Sequence, residues 1–324
     1  MKRVTMLWAG VLLATVWGLA GCGEGGASGG KATSIPDSPE GTVKAVASSL
    51  ANNQPRAVWD AMPGKWQTDV NSLVSEFAGK MDAEVYDTTF ATVGKLSDTL
   101  KEKKALILQA LEDPQISGNM PITKADLEAR YDTLVSFLGT IARSDASTVN
   151  GLKSLDIGKF LGNTGATLMA DMDKLAELAP DPDAAEMIQT KKDLANVQVE
   201  VVSSSADAAT VKITTGDKVE QEEMVKVEGK WVPKEMADEW DAKIAEAKAN
   251  LAEMTGQEMA QNKPQVMQLL KSIDTRLTTV SKASTPDELK QAVMGMVGAV
   301  MGQMMGGGGM GPDDAMMPPD DGGM

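Results

Sequence analysis

The sequence predicts an α+β fold that is mostly α-helical: a helical bundle with a three- to four-stranded antiparallel meander and C-terminal helices. Three observations carry this. Apolar residues recur at three- and four-residue spacing through much of residues 38–195. Between Val197 and Val232 the period shortens to two, with turn residues between the runs. Helical spacing then returns from Lys234 onward.

The first helix has a marked start at Ser38-Pro39-Glu40, an N-cap followed by Pro at the first helical position. Val43, Val46 or Ala47, and Leu50 form its stripe, and Asn52-Asn53-Gln54-Pro55 ends it. A short helix carries Val58, Trp59 and Met62 and stops near Pro63-Gly64. Trp66 to Lys80 follows, with Val70, Leu73, Val74 and Phe77 on one face. Further helices are expected at 83–111, 124–144 and 168–178, and 151–165 reads as a loop with a short helix. In the meander, Val197 to Val201, Ala209 to Thr214, Glu222 to Val227 and Lys230 to Pro233 are strands. Ser203–Asp207, Gly216-Asp217 and Glu228-Gly229 turn the chain between them. The closing helices are 234–254, 257–282 with a bend at Pro264, and 286–304.

The N-terminus has a different character. Lys2 and Arg3 precede an apolar run from Met6 to Leu19, and the chain then reads Leu19-Ala20-Gly21-Cys22. Positive flank, short apolar core and small residues are the order of a secretory signal. The core is shorter than the ~20 apolar residues that span a bilayer. Leu-Ala-Gly-Cys also resembles the lipobox of bacterial lipoproteins. The resemblance implies a diacylglyceryl group on the Cys22 sulfur, cleavage before Cys22, and a fatty acid such as palmitate on the new amino terminus. Two or more acyl chains anchor stably where one does not. The alternative is an ordinary secreted protein with a chance cysteine, although Cys22 is the sole cysteine of the chain. Gly23, rather than an Asp, favours the outer membrane facing the periplasm in a Gram-negative cell. The expected organisation is therefore a signal peptide at 1–21, a Gly/Ser-rich flexible tether at 22–37, and a mainly helical region at 38–195. The meander plus helices follow at 196–284, and an amphipathic helix with a Met/Gly-rich low-complexity tail at 285–324.

Composition removes several chemistries. The chain has no histidine and one cysteine, which excludes Ser-His-Asp and Cys-His catalysis and zinc sites built on His or Cys. No disulfide can form. Gly151 to Lys159 is the closest approach to a phosphate-binding loop, with the wrong spacing. Ser28 to Lys31 has the Ser-x-x-Lys pattern of acylases but falls in the tether. The formal charge is −15, and loss of Lys2 and Arg3 with the leader takes it to −17. So acidic a chain is repelled by nucleic acid and by anionic headgroups. Six Trp, less Trp8 and Trp17 of the leader, leave four, with two Tyr and four Phe, which is sparse for sugar platforms. The expectation is a protein that is not an enzyme and carries no cofactor beyond the covalent diacylglycerol and fatty acid on Cys22. Its expected partners are the membrane, through that anchor, and an envelope protein.

A second resemblance lies within the mature chain. Ser38-Pro-Glu-Gly-x-Val-Lys-Ala, then Trp59-Asp60-Ala61-Met62-Pro63, is similar to the opening of small envelope lipoproteins with a nuclear-transport-factor-two-like cone. Val227-Glu-Gly229-Lys-Trp231-Val is similar to the close of that fold's meander. The resemblance covers about a third of the chain, and the helical stretch from Val70 to Leu194 departs from it. It implies a curved sheet around helices, with Trp59 and Trp231 as walls of a pocket for a small molecule; the other reading of both is core packing.

Two further features have alternative readings. Nine methionines fall between Met294 and Met324. Thioethers suit Cu(I), and Met301, Met304 and Met305 have the close spacing of such a site. The preferred reading is a low-complexity tail after a helix whose stripe runs through Leu289, Val293, Met296, Val300 and Met304, with no metal bound. The helix from Pro286 presents Gly295, Ala299 and Gly302 among apolar residues, for a partner helix or, by preference, for its own domain. Asp171-x-Asp173 and Asp181-x-Asp183 lack calcium-loop spacing and read as solvated helix ends.

Overall fold

The computed structural model describes residues 32–112, 123–178, 182–254 and 256–305, with side chains described throughout except at 256–261 and 296–305. The fold is α+β and mostly helical, with one four-stranded antiparallel sheet in the order β1-β2-β3-β4.

Helix α1 (Pro39–Ala51) starts where the sequence places it: the Ser38 side chain accepts from the Gly41 N–H, and Pro39 opens the first turn. Val43, Val46, Ala47 and Leu50 are buried, and α1 lies against β1, β2 and β4. Asn53, at φ 57°, ends it in the left-handed region that Asn tolerates. Helices α2 (Arg56–Ala61) and α3 (Gly64–Lys80) follow at Pro55 and Pro63. Trp66, Val70, Leu73 and Val74 form the buried face of α3. Asp82 caps the long α4 (Ala83–Ala110), accepting from the Val85 N–H, and Thr123 caps α5 (Lys124–Ala142) in the same way.

Residues 149–165 are more ordered than the expected loop. They form α6 (Val149–Lys153), α7 (Ile157–Phe160) and a π-helical turn at Leu161–Gly165 that runs on into α8 (Ala166–Glu177). A further helix, α9 (Pro182–Ala195), packs on α1 and α8. Its only buried residue is Leu194, so there was little apolar stripe to read; Pro182 at its first position was the available signal.

The meander comprises β1 (Gln198–Ser204), β2 (Ala208–Thr215), β3 (Lys218–Val227) and β4 (Lys230–Pro233). Val199, Ala209, Val211, Ile213 and Met224 turn into the core, and Glu222, 2% exposed, turns inward opposite Val211. In β1 only Val199 is buried; the register shifts between Val201 and Ser203, and Val201 and Val202 stay exposed. Glu228 (φ 48°) and Gly229 (φ 77°) make the two-residue β3–β4 turn, in the left-handed conformation such hairpins require. The Glu228 carboxylate is fixed by the Lys65 N–H at 3.0 Å, which joins the hairpin tip to the first turn of α3.

Helix α10 (Lys234–Glu253) returns along β3 and α3. Its Trp240 stacks on Trp66, with centroids 4.2 Å apart and planes at 10°. Helix α11 (Gly256–Lys282) runs on through Pro264 and lies along α4. Lys263 at Asp82 and Lys95 at Asp274 show that α4 and α11 are parallel. Helix α12 (Pro286–Met305) packs back on both. Its buried face runs through Leu289 and Ala292, against Ala110, Val280 and Ala283, whereas Val293 of the expected stripe is 37% exposed. No helix among the described residues is long and apolar enough to cross a membrane.

Candidate functional site

A groove of about 340 Å³ opens where the end of α3, the start of α4 and the early part of α11 meet. Phe77, Met81, Val85, Tyr86, Phe90 and Val266 supply its apolar walls. Tyr86 and Phe90 lie one turn apart on α4 with ring centroids 4.7 Å apart. Tyr86 is fixed at its far end, where its hydroxyl donates to the Ala146 carbonyl at 2.8 Å. Thr89 also lines the groove, but its hydroxyl is committed to the Val85 carbonyl. Apart from Met81, the apolar walls thus stand on three helices, a setting that holds geometry better than loops do.

One ionic cluster borders the groove. Lys263 Nζ reaches Asp82 Oδ2 at 2.8 Å and Glu84 Oε2 at 2.9 Å. Asp82 therefore has two tasks: it caps α4 and binds α11. Hydrogen bonds from the Lys263 ammonium and the Val85 N–H hold its carboxyl below the ordinary carboxylate range, against the opposing effect of burial. The same two carboxylates raise the Lys263 ammonium above its usual range. A depressed carboxylate contributes stability above its unfolded pKa, and that contribution is lost as pH falls through the folded value. The Asp82–Lys263 link is accordingly expected to hold at neutral pH and to open only once pH falls below the ordinary carboxylate range. Amide chemical shifts around Asp82 and Lys263 followed by NMR check this; Asp82→Asn should remove the acid transition there.

A second charged cluster serves packing. Lys65 bridges Asp69 at 2.8 Å and Asp241 at 2.7 Å, and Trp240 Nε1 donates to Asp69 at 2.9 Å. Burial pushes the Asp69 carboxyl up, but these hydrogen bonds outweigh it and hold the group low. Elsewhere, burial and the neighbouring Asp132 push the Tyr131 phenol up to about 12.

The structure places the sequence-predicted residues away from the groove. Trp59 is half-buried against the main core and Gly158, where an added Cβ would come within 3.0 Å of the indole. Trp231 is 5% exposed within the same core, with Lys226 Nζ 5.7 Å from its ring centroid. Neither lines the groove. Asp171 is 4% exposed and accepts from Ser136, and Asp173 binds Asn53 and Lys191, so both acids tie helices together. Among the described residues no group of three or more Cys, Asp or Glu is arranged to hold a metal ion. Cys22 lies outside the described residues, as do the side chains of Met301, Met304 and Met305. The groove was missed because it joins Phe77 and Val85 to Val266, segments that no local period connects. No protein-family description, curated protein or solved structure matches the chain.

Proposed function

We propose that the chain is a membrane-anchored envelope lipoprotein that works by binding, with the groove between α3, α4 and α11 as the place where a small apolar molecule is held. The anchor rests on Leu19-Ala20-Gly21-Cys22. The binding role rests on one observation, an apolar groove bordered by the Lys263–Asp82–Glu84 cluster. Its volume falls in the ~300–1,000 Å³ range of small-molecule pockets, near the small end. Its walls favour the apolar body of a ligand, while the ionic cluster fixes the orientation of a polar end. The absence of histidine from the sequence and the single cysteine at the lipidation position support binding over turnover.

Two measurements test the two halves. Intact mass and membrane fractionation of wild type and Cys22→Ser test the anchor: acyl mass and membrane association should both be lost in the variant. A soluble, unmodified wild type would end that reading. Val266→Trp, which fills the groove, should weaken binding of a naphthalene-based fluorescent probe at least ten-fold. Unchanged probe affinity in a folded Val266→Trp protein would end the binding reading.

A further inference from the structure

The last residues before α1 are fastened to the fold. The Thr33 N–H donates to Asp60 Oδ2 at 2.7 Å, and Ile35 packs against the main core. The Pro36 carbonyl accepts from Thr42 at 3.1 Å, and Asp37 pairs with Lys226 at 2.6 Å. Asp60 also meets Arg56 Nε at 3.3 Å, and its carbonyl accepts from Lys230 Nζ at 2.8 Å. The chain therefore enters the folded body at one defined place, beside α2 and the β3–β4 hairpin. Residues 23–32 lie between Cys22 and Thr33, and ten residues span at most ~36 Å when fully extended.

Charge distinguishes the same face. Around the entry point stand Arg56, Lys159, Lys226 and Lys230 against Asp37, Asp60 and Asp156, with Asp156 paired to Lys159 and within the influence of Arg56. With Glu228 at the hairpin tip, four cations face four acids, in a chain with 31 cations and 46 acids. A face so balanced is repelled less by a phosphate-rich surface than the acidic average of the chain would be. The groove lies elsewhere. Lys65 sits at the hairpin through Glu228, and Phe77 stands twelve residues further along α3, ~18 Å away at helical rise.

We propose that the α2 and β3–β4 hairpin face is the surface apposed to phospholipid headgroups, and that the groove is displaced from it along α3 and receives its ligand from the aqueous side. This rests on the lipid-anchor reading above. An introduced cysteine is the only free thiol in the lipidated protein, so a fluorophore can be placed at will. Lys159→Cys reports on the entry face, and Lys271→Cys, at an exposed position on α11, reports beyond the groove. Both labelled, lipidated proteins are bound to phosphatidylcholine–phosphatidylglycerol vesicles carrying a headgroup quencher. Flotation is read first; failure to float overturns the anchor reading and this proposal together. With flotation established, several-fold stronger quenching at position 159 than at 271 is the expected result. Equal quenching, or stronger quenching at 271, overturns the orientation while leaving the anchor intact.

Discussion

Trp240→Ala is expected to cost about 3–5 kcal/mol of folding stability. Three interactions fail together. The indole is 6% exposed, so its removal leaves a cavity between α10 and α3. The stack with Trp66, at 4.2 Å between centroids, disappears, and its contribution exceeds simple area burial. The Asp69 carboxylate also loses the Nε1 donor that helps offset its burial. Its carboxyl should then move up toward the ordinary range, so the variant lacks the stability that a depressed carboxylate supplies at neutral pH, and its deficit against wild type narrows as pH falls below the carboxylate range. Trp240→Phe separates these effects. It keeps an aromatic ring against Trp66 and loses the donor, for a cost of about 1.5–3 kcal/mol. Urea denaturation of both variants and the wild type at pH 7 and at about pH 3, below the ordinary carboxylate range, checks the ranking and the pH dependence. Equal midpoints for Trp240→Ala and wild type would refute this account of the α3–α10 contact.

Gly151→Ala is the second large effect. A Cβ built there lies 1.9 Å from the Asp145 carbonyl oxygen and 3.0 Å from Thr148 Oγ1. The first contact is with backbone, so no side chain can rotate away. Helix α6 would have to shift, and it carries Val149 and Leu152, 4% and 1% exposed, into the core beside α3. Ala146, which accepts the Tyr86 hydroxyl behind the groove, stands in the same short connection. The expected loss is about 3 kcal/mol, the upper end for overpacking, with altered probe binding in the groove. Gly79→Ala is the control: nothing lies within 4 Å of its Cβ, and it ends a helix that Ala favours. Its effect should be neutral or stabilising by up to about 1 kcal/mol. Thermal unfolding of the pair measures the contrast.

Much of this architecture was legible in residue spacing. The Ser38-Pro39 start, the Trp66–Lys80 helix and the strand runs after Val197 each declare themselves locally, through a cap, a stripe or an alternation. Helix α9 did not, because only Leu194 of it is buried and its polar faces carry no period. The π-helical turn at Leu161–Gly165 depends on how α7 and α8 meet, which no local propensity encodes. Val201 reads as a core position by alternation, yet the register shift beside it leaves it 43% exposed. The candidate groove was illegible for a related reason. Val266 comes beside Phe77 and Val85 only through the docking of α11 on α4, and the Lys263–Asp82 pair is set by that docking. The lipid attachment proposed at Cys22 is the opposite case: it rests wholly on a local pattern, Leu19-Ala20-Gly21-Cys22.

The irregular first strand has a consequence for crowding. β1 is one of the two outer strands of the sheet, and an outer strand with exposed valines is a template on which another chain can polymerise. The extra residue at Val202 breaks the repeat that such a template needs, after four residues in straightforward register. Under the lipid-anchored reading proposed above, copies held in two dimensions would meet edge to edge often. The register shift is then expected to disfavour pairing between their outer strands, so that crowding on a surface would not by itself nucleate fibrils.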